Sequence, residues 1–346
     1  MTHHVFAYRI PTATPESDGT FEWDSTTLVT VHIGEGFGYT YANLATATLI
    51  RELFDVIKDP FDIEASWAAM IRAVRNVGRR GIAAMAISAI DAALWDRKAK
   101  LLGCSLSKLL GRVRDAVPIY GSGGFTSYST DELNKQLSGW VRDGIPRVKM
   151  KIGRDAAADR DRVKAARKAI GADAQLFVDA NGAYTRRQAV TQARAFEAHD
   201  VTWFEEPVSS DDLEGLQFIR ERTNIEVAAG EYGYELQYFE EMIPHVDVLQ
   251  ADATRCLGIT GFIKTAALCE ANNTQLSAHC APSVHAALGC ALLPVRHLEY
   301  FFDHARIESM LFDGFIAPRD GALHPDVERP GLGIELKEKD AERYRI

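Results

Sequence analysis

With 346 residues, 47% of them hydrophobic and 25% charged, the chain has the composition of a globular protein of one large or two moderate domains. Its 39 basic and 48 acidic residues leave a net charge of −9, with no basic patch of the kind that nucleic acid or an anionic membrane would require. The start, MTHHVFAYRI, has no charged segment ahead of a long apolar core. The most apolar helical stretch, Gly81 to Trp95, is too short to span a bilayer. The expected setting is therefore the cytoplasm, without nucleic acid or membrane partners, and the expected assembly is a homo-oligomer.

Residues 1 to about 40 read as an antiparallel sheet. Its strands run from Val5 to Arg9 and from Thr26 to Ile33, with a polar loop, Thr12 to Ser25, between them. Gly34 to Gly38 reads as a second turn. Three helices are expected next: Asn43 to Ile57, stopped by Asp59-Pro60; Phe61 to Val77; and Gly81 to Leu102, which is apolar on most faces and therefore buried.

From Val117 the pattern changes to apolar runs alternating with helical segments. Eight such runs, from VPIYGSGG to the one that starts at His297, predict an α/β fold of the (β/α)8 type, a modified TIM barrel. An N-terminal α+β capping domain over residues 1–113 precedes the barrel at 114–303. The tail, 304–346, is rich in loop residues and is expected to pack back on the capping domain.

Charged residues close successive runs at nearly constant spacing. Lys149 and Lys151 end RVKMK, Asp179 ends LFVD, Glu205 ends VTWFE, Glu231 ends VAAGE, and Asp252 and His279 close the next two. From Lys151 to Asp179 is 28 residues, and each step from Asp179 to Glu205 to Glu231 is 26. A strand, helix and two loops need about that length, so these groups gather at one end of successive parallel strands, where such barrels keep their chemistry.

Three carboxylates on adjacent strands repel unless a cation lies between them, and three hard oxygen donors suit Mg2+. Each acid alone could equally be a helix cap or a surface charge. Lys149 and Lys151 share one face of their strand, and two adjacent cations should each lower the other's pKa, which would suit a general base. The alternative is a solvated edge strand. Asp252 beside His279 would fix the imidazole tautomer, unless His279 is simply a satisfied core residue. The five cysteines (Cys104, Cys256, Cys269, Cys280 and Cys290) show no metal or CxxC spacing and read as reduced core thiols. Cys280 should alternate away from His279 and be structural.

The series Lys-x-Lys, Asp179, Glu205 in FEEP, Glu231 in AAGE, Asp252 and His279 resembles the enolase superfamily, specifically its mandelate racemase subgroup within the mandelate racemase/muconate lactonizing enzyme family. The resemblance covers nearly the whole chain. It implies that Asp179, Glu205 and Glu231 bind Mg2+, which holds a substrate carboxylate. It further implies that Lys151, tuned by Lys149, removes the α-proton on one face, and that His279 paired with Asp252 works on the other. Glu299 matches the glutamate that hydrogen-bonds the enediolate oxygen, and Asn181 matches a polar substrate contact, though Asn181 could be no more than a turn residue. Glu206 and Pro207 look structural. Strand six carries Asp252 and Arg255 and no lysine, which disfavours the muconate-cycloisomerase-like and dipeptide-epimerase-like branches.

Two bases on opposite faces allow racemisation or epimerisation of a 2-hydroxy acid, or dehydration. The resemblance points first to dehydration of an acid sugar to a 2-keto-3-deoxy acid. A non-catalytic barrel binding metal or a partner is the reading from another class. Substrate choice is expected in the Thr12–Ser25 and Gly34–Tyr41 loops.

Overall fold

The structure is a computed structural model and describes residues 2–346. Its first sheet holds β1 (His3–Ser17), β2 (Glu22–Ile33) and β3 (Gly36–Tyr41), antiparallel in that order. The expected Thr12–Ser25 loop is therefore mostly strand. The ladder shifts register between Pro11 and Glu16 and then resumes, pairing Glu16 with Trp23 and Ser17 with Glu22. Only residues 18–21 turn, and the Asp18 carboxylate holds them by accepting from the Thr20 and Phe21 amides at 2.6 and 2.7 Å. A solvent-facing ribbon can extend with polar residues, so its polarity reads as loop in the sequence.

The expected second turn is present but short: only Gly34, φ 56°, and Glu35 turn, and the rest of the Gly34–Tyr41 segment is strand. β3 is buried along its whole length against a helix. A Cβ at Gly38 would come within 2.2 Å of the Ala89 carbonyl oxygen, and one at Gly36 within 2.2 Å of that of Ala93. These glycines permit close packing of strand on helix rather than a turn.

Helices α1 (Ala45–Leu53), α2 (Ile63–Ala73) and α3 (Ile82–Leu101) complete the cap. α3 is buried on most faces because β3 lies on one side and the barrel helix Gly258–Ala271 on another. Its Asp91 accepts from the Thr260 amide and hydroxyl at 2.9 and 2.7 Å.

Eight parallel strands follow: β4 (Val117–Gly123), β5 (Arg147–Lys151), β6 (Gln175–Asp179), β7 (Val201–Glu205), β8 (Glu226–Ala229), β9 (Val248–Ala251), β10 (Gln275–Ala278) and β11 (Val295–Phe301). Each pairs with the next, and β11 pairs with β4 to close the barrel. Tyr120, Phe177, Trp203 and His297 fill one interior layer with mutually packed rings. That layer is the floor beneath the charged residues.

The expectation that everything past His304 stays outside the barrel does not hold. Phe302–Leu311 is a helix that follows the eighth strand directly, and Ala322–Leu323 adds an antiparallel pairing to β4. Farther on the chain returns to the cap. The Leu332 amide donates to Asp96 on α3 at 2.6 Å, Tyr8 bridges Arg345, and the Ile346 amide donates to the Ala7 carbonyl at 3.0 Å. Among the described residues, no helix is long and apolar enough to cross a membrane.

Candidate active site

The strand register sets the site. Lys151, Asp179 and Glu205 stand in one row across β5, β6 and β7. Glu231 lies two residues past β8, Asp252 one past β9 and His279 one past β10, while Glu299 lies within β11. All seven are buried, and so is Lys149. Parallel strands staggered around a barrel bring their C-terminal ends to one rim, so residues far apart in sequence converge there.

Asp179, Glu205 and Glu231 offer oxygens that all lie within 4.8 Å of one another. One Asp179 oxygen accepts from Lys151 Nζ at 2.5 Å and lies 3.1 Å from Lys149 Nζ, and the other accepts from the Asn181 amide at 2.9 Å. Glu205 accepts from Lys149 Nζ at 2.5 Å and from Trp203 Nε1 at 2.9 Å. One Glu231 oxygen lies 3.3 Å from His279 Nε2 yet has no hydrogen-bond partner, and the buried Glu206 carboxylate beside it also keeps an oxygen without one. Oxygen-only donors, crowded, buried and incompletely satisfied, fit Mg2+.

Burial, reinforced by the nearby Asp179 charge, pushes the Glu205 carboxyl up to about 8. Burial and the surrounding Glu231, Asp179 and Glu205 hold Glu206 well above the ordinary glutamate range. Glu206 also has a left-handed backbone, φ 38°, which turns its side chain back toward the ligand cluster.

The lysines overturn one expectation. Burial favours their neutral forms, but Glu205 and Glu299 around Lys149, and Asp179 beside Lys151, outweigh it and hold both above the usual lysine value. Counting only the two cations predicts the opposite sign, because the anions arrive from other strands.

On the other side of the cluster, His279 Nδ1 donates to Asp252 at 2.9 Å, which leaves Nε2 facing the site. Burial lowers this imidazole, but the facing Cys280, Glu231 and Glu299 more than offset it and hold it well above the histidine range. Arg255 approaches Asp252 and Glu231 at 3.6 and 3.7 Å, so the residue at strand six has a structural place beside both acids. Glu299 accepts from Ser122 at 2.5 Å, from the Cys280 amide at 3.1 Å and lies 2.8 Å from Lys149 Nζ. Burial raises its pKa, but Lys149 and His279 prevail and hold it ionised, as an acceptor. Asn181 borders the cluster with an unpartnered side-chain oxygen and a left-handed φ of 46°.

Cys280 departs from expectation. It points into the site, with Sγ 3.2 Å from His279 Nε2 and 3.4 Å from a Glu299 oxygen. Its φ of 50°, followed by 40° at Ala281, breaks the alternation that an extended strand would impose. Three other neighbours escaped the sequence reading: Ser122, Trp203 and His304. Only Trp203 carried a signal, since it lies two residues before Glu205 on the same strand face.

The cap closes over this rim through its first hairpin. Gly19 lies so near the barrel that a Cβ there would meet the Ala180 and Ile152 carbonyls at 2.3 and 2.7 Å. Thr126 Oγ1 donates to the Asp18 carbonyl at 2.7 Å, and Trp23 Nε1 and Thr26 Oγ1 donate to Asp303 at 3.3 and 3.0 Å. At the end of β3, Tyr41 stacks on His304 with ring centres 3.5 Å apart.

Comparison with known proteins agrees in extent as well as kind. Residues 17–111 match the family described as the mandelate racemase/muconate lactonizing enzyme N-terminal domain, and residues 132–341 match the enolase C-terminal domain-like family. An L-talarate/galactarate dehydratase from Salmonella typhimurium is 34% identical over 351 residues, spanning 95% of this chain and 87% of that protein. A mandelate racemase/muconate lactonizing enzyme-like protein from Rubrobacter xylanophilus has a crystal structure with 50% identity and a TM-score of 0.96, over 99% of each chain. A racemase from Streptomyces coelicolor with bound magnesium shares 31% identity and a TM-score of 0.93, over 100% of this chain and 99% of its own.

Proposed function

Because the chain belongs to the mandelate racemase/muconate lactonizing enzyme family of enolase-like barrels, we propose that it removes the α-proton of a carboxylate substrate with Mg2+ as cofactor, and that the overall reaction is dehydration of an acid sugar to a 2-keto-3-deoxy acid. The observation that carries this reading is convergence: Lys151 Nζ lies 2.5 Å from Asp179 and His279 Nε2 3.3 Å from Glu231, so two proton carriers reach one carboxylate cluster from different parts of the rim.

Mg2+ held by Asp179, Glu205 and Glu231 would supply positive charge that stabilises the substrate's carboxylate as its α-proton leaves, and would offset the carboxylate field that keeps Lys151 protonated. Lys151 is the base, and Lys149 holds Glu205, Glu299 and Asp179 in place beneath it. His279, its Nδ1 fixed by Asp252, gives its Nε2 proton to the departing β-hydroxyl, which leaves as water. The remaining enol rearranges to the 2-keto acid. Glu299 hydrogen-bonds the enolic oxygen, a role that requires it to take up a proton first. Asn181 offers its unpartnered side-chain oxygen to accept from a substrate hydroxyl.

Inversion at the α-carbon is the second reading, because the same pair can deliver a proton to the opposite face. A barrel that only binds is disfavoured, because buried charges without a task are destabilising. The reading includes a homo-oligomer acting in the cytoplasm, where the five unpaired cysteines would stay reduced. The deciding experiment supplies Mg2+ and a panel of acid sugars and 2-hydroxy acids in D2O. Release of 2-keto acid supports dehydration, deuterium at the α-carbon without release supports racemisation, and neither with any carboxylate overturns the proposal.

A further inference from the structure

We infer that His279, Cys280 and Glu299 form a second metal site, distinct from the three carboxylates, which takes a thiophilic divalent ion such as Zn2+ and thereby blocks the imidazole. That the ion inhibits rests on the role proposed for His279; that it binds does not.

The three donor atoms form a small triangle. His279 Nε2 to Cys280 Sγ is 3.2 Å, Cys280 Sγ to Glu299 Oε2 is 3.4 Å, and Glu299 Oε2 to His279 Nε2 is 3.6 Å. Tetrahedral zinc at its usual bond lengths to nitrogen, sulfur and oxygen holds such atoms about 3.4–3.6 Å apart. The side chains already stand at nearly that separation.

The rest of each ligand is fixed. His279 Nδ1 donates to Asp252 at 2.9 Å, the arrangement that orients a metal-bound imidazole. The other Glu299 oxygen is held by Ser122 at 2.5 Å and Lys149 at 2.8 Å. Cys280 owes its direction to two successive left-handed residues, φ 50° and 40°. This costly backbone is pinned by His285 at the Cys280 carbonyl, 2.8 Å, and by His304 at the Ala281 amide, 3.2 Å.

The donor chemistry separates the two sites. Asp179, Glu205 and Glu231 are all-oxygen and suit Mg2+, whereas nitrogen, sulfur and carboxylate oxygen together suit zinc or cobalt. Three protein ligands leave a fourth position for water. On binding, the S–H bond breaks, the metal–sulfur bond forms and the proton leaves to solvent. A proton on His279 Nε2 is released likewise, and no electron moves. The Nε2 lone pair is then committed to the ion and cannot serve a substrate.

The test titrates the full-length protein, saturated with Mg2+, with Zn2+ by calorimetry, and with Co2+ by absorption for a thiolate-to-cobalt charge-transfer band. One equivalent of Zn2+ and the cobalt band are expected. Cys280→Ser and Cys280→Ala should abolish the band and weaken Zn2+ by about 100-fold. Glu205→Gln should keep both. A missing cobalt band, or Zn2+ affinity unchanged in both cysteine variants, overturns the site. If the band appears and product formation from an active substrate continues at its full rate, the site stands and the role given to His279 fails.

Discussion

Trp203 Nε1 reaches up from the aromatic floor of the barrel and donates to Glu205 at 2.9 Å. The two residues lie on one strand face, so the packed interior orients an acid of the metal cluster directly. Trp203→Phe keeps the ring layer and removes the donor. Mg2+ affinity is expected to fall by about 10–100-fold with little loss of thermal stability. Calorimetric titration with Mg2+ checks it, and wild-type affinity in the variant would remove Trp203 from the account.

The two proton carriers should be separable by isotope. Lys151→Ala is expected to abolish α-proton exchange on an active substrate. His279→Ala should keep exchange through Lys151 while product formation drops by about 10²–10⁴-fold. NMR in D2O distinguishes the two, and identical loss of exchange in both variants would argue against division of labour.

Asp252 fixes the tautomer of His279. The Asp252→Asn variant removes the negative charge that favours the doubly protonated imidazole, the form that donates from Nε2. The substitution is therefore expected to lower kcat by about 10²–10⁴-fold with KM nearly unchanged. A fall confined to KM would point to substrate binding instead.

Stability should depend on pH through two acids away from the chemistry. Burial raises Asp91 to about 7 against its bonds to Thr260, and raises Glu308 to about 7 against its bonds to Ser283, Tyr39 and Tyr41. A raised carboxyl holds its proton longer in the folded state. Its contribution is complete below the unfolded value, near 4, and is lost as pH rises toward 7. Each group adds a downward slope of at most about 1.4 kcal/mol per pH unit in that window. Urea denaturation across pH 4–8 should show a shallower decline in Asp91→Asn than in the wild type. Parallel curves would refute the assignment.

Gly19 tests the hairpin. A Cβ there cannot coexist with the Ala180 and Ile152 carbonyls, so Gly19→Ala must lift the tip from the rim. KM should rise, with a displacement of about 1 Å costing up to about 100-fold in kcat/KM. Mg2+ affinity should stay as in the wild type, and an unchanged KM would place specificity elsewhere.

The barrel was legible because parallel strands buried on both faces read as apolar runs, six of the eight closed here by a titratable residue at the rim. The same regularity delivered Lys151, Asp179, Glu205 and His279. It failed where the backbone leaves the extended region, as at Cys280, because alternation assumes a strand. The sign of the lysine shifts depends on acids from other strands and is invisible along one segment. Helix Phe302–Leu311 was missed because buried Asp303, His304 and Glu308 interrupt its apolar pattern, each accepting hydrogen bonds from elsewhere in the fold. The polar hairpin misread as loop is the part that meets the rim.

The return of residues 331–346 to the cap bears on the order in which the molecule can assemble. Asp96 and Ala7 find partners in Leu332 and Ile346, which a ribosome delivers only after the entire barrel. A nascent chain stopped before residue 331 holds a cap with open hydrogen-bonding positions and a buried aspartate short of a donor. The sheet that covers the site is therefore made first and finished last, which favours one cooperative folding event after synthesis over stepwise folding from the N-terminus.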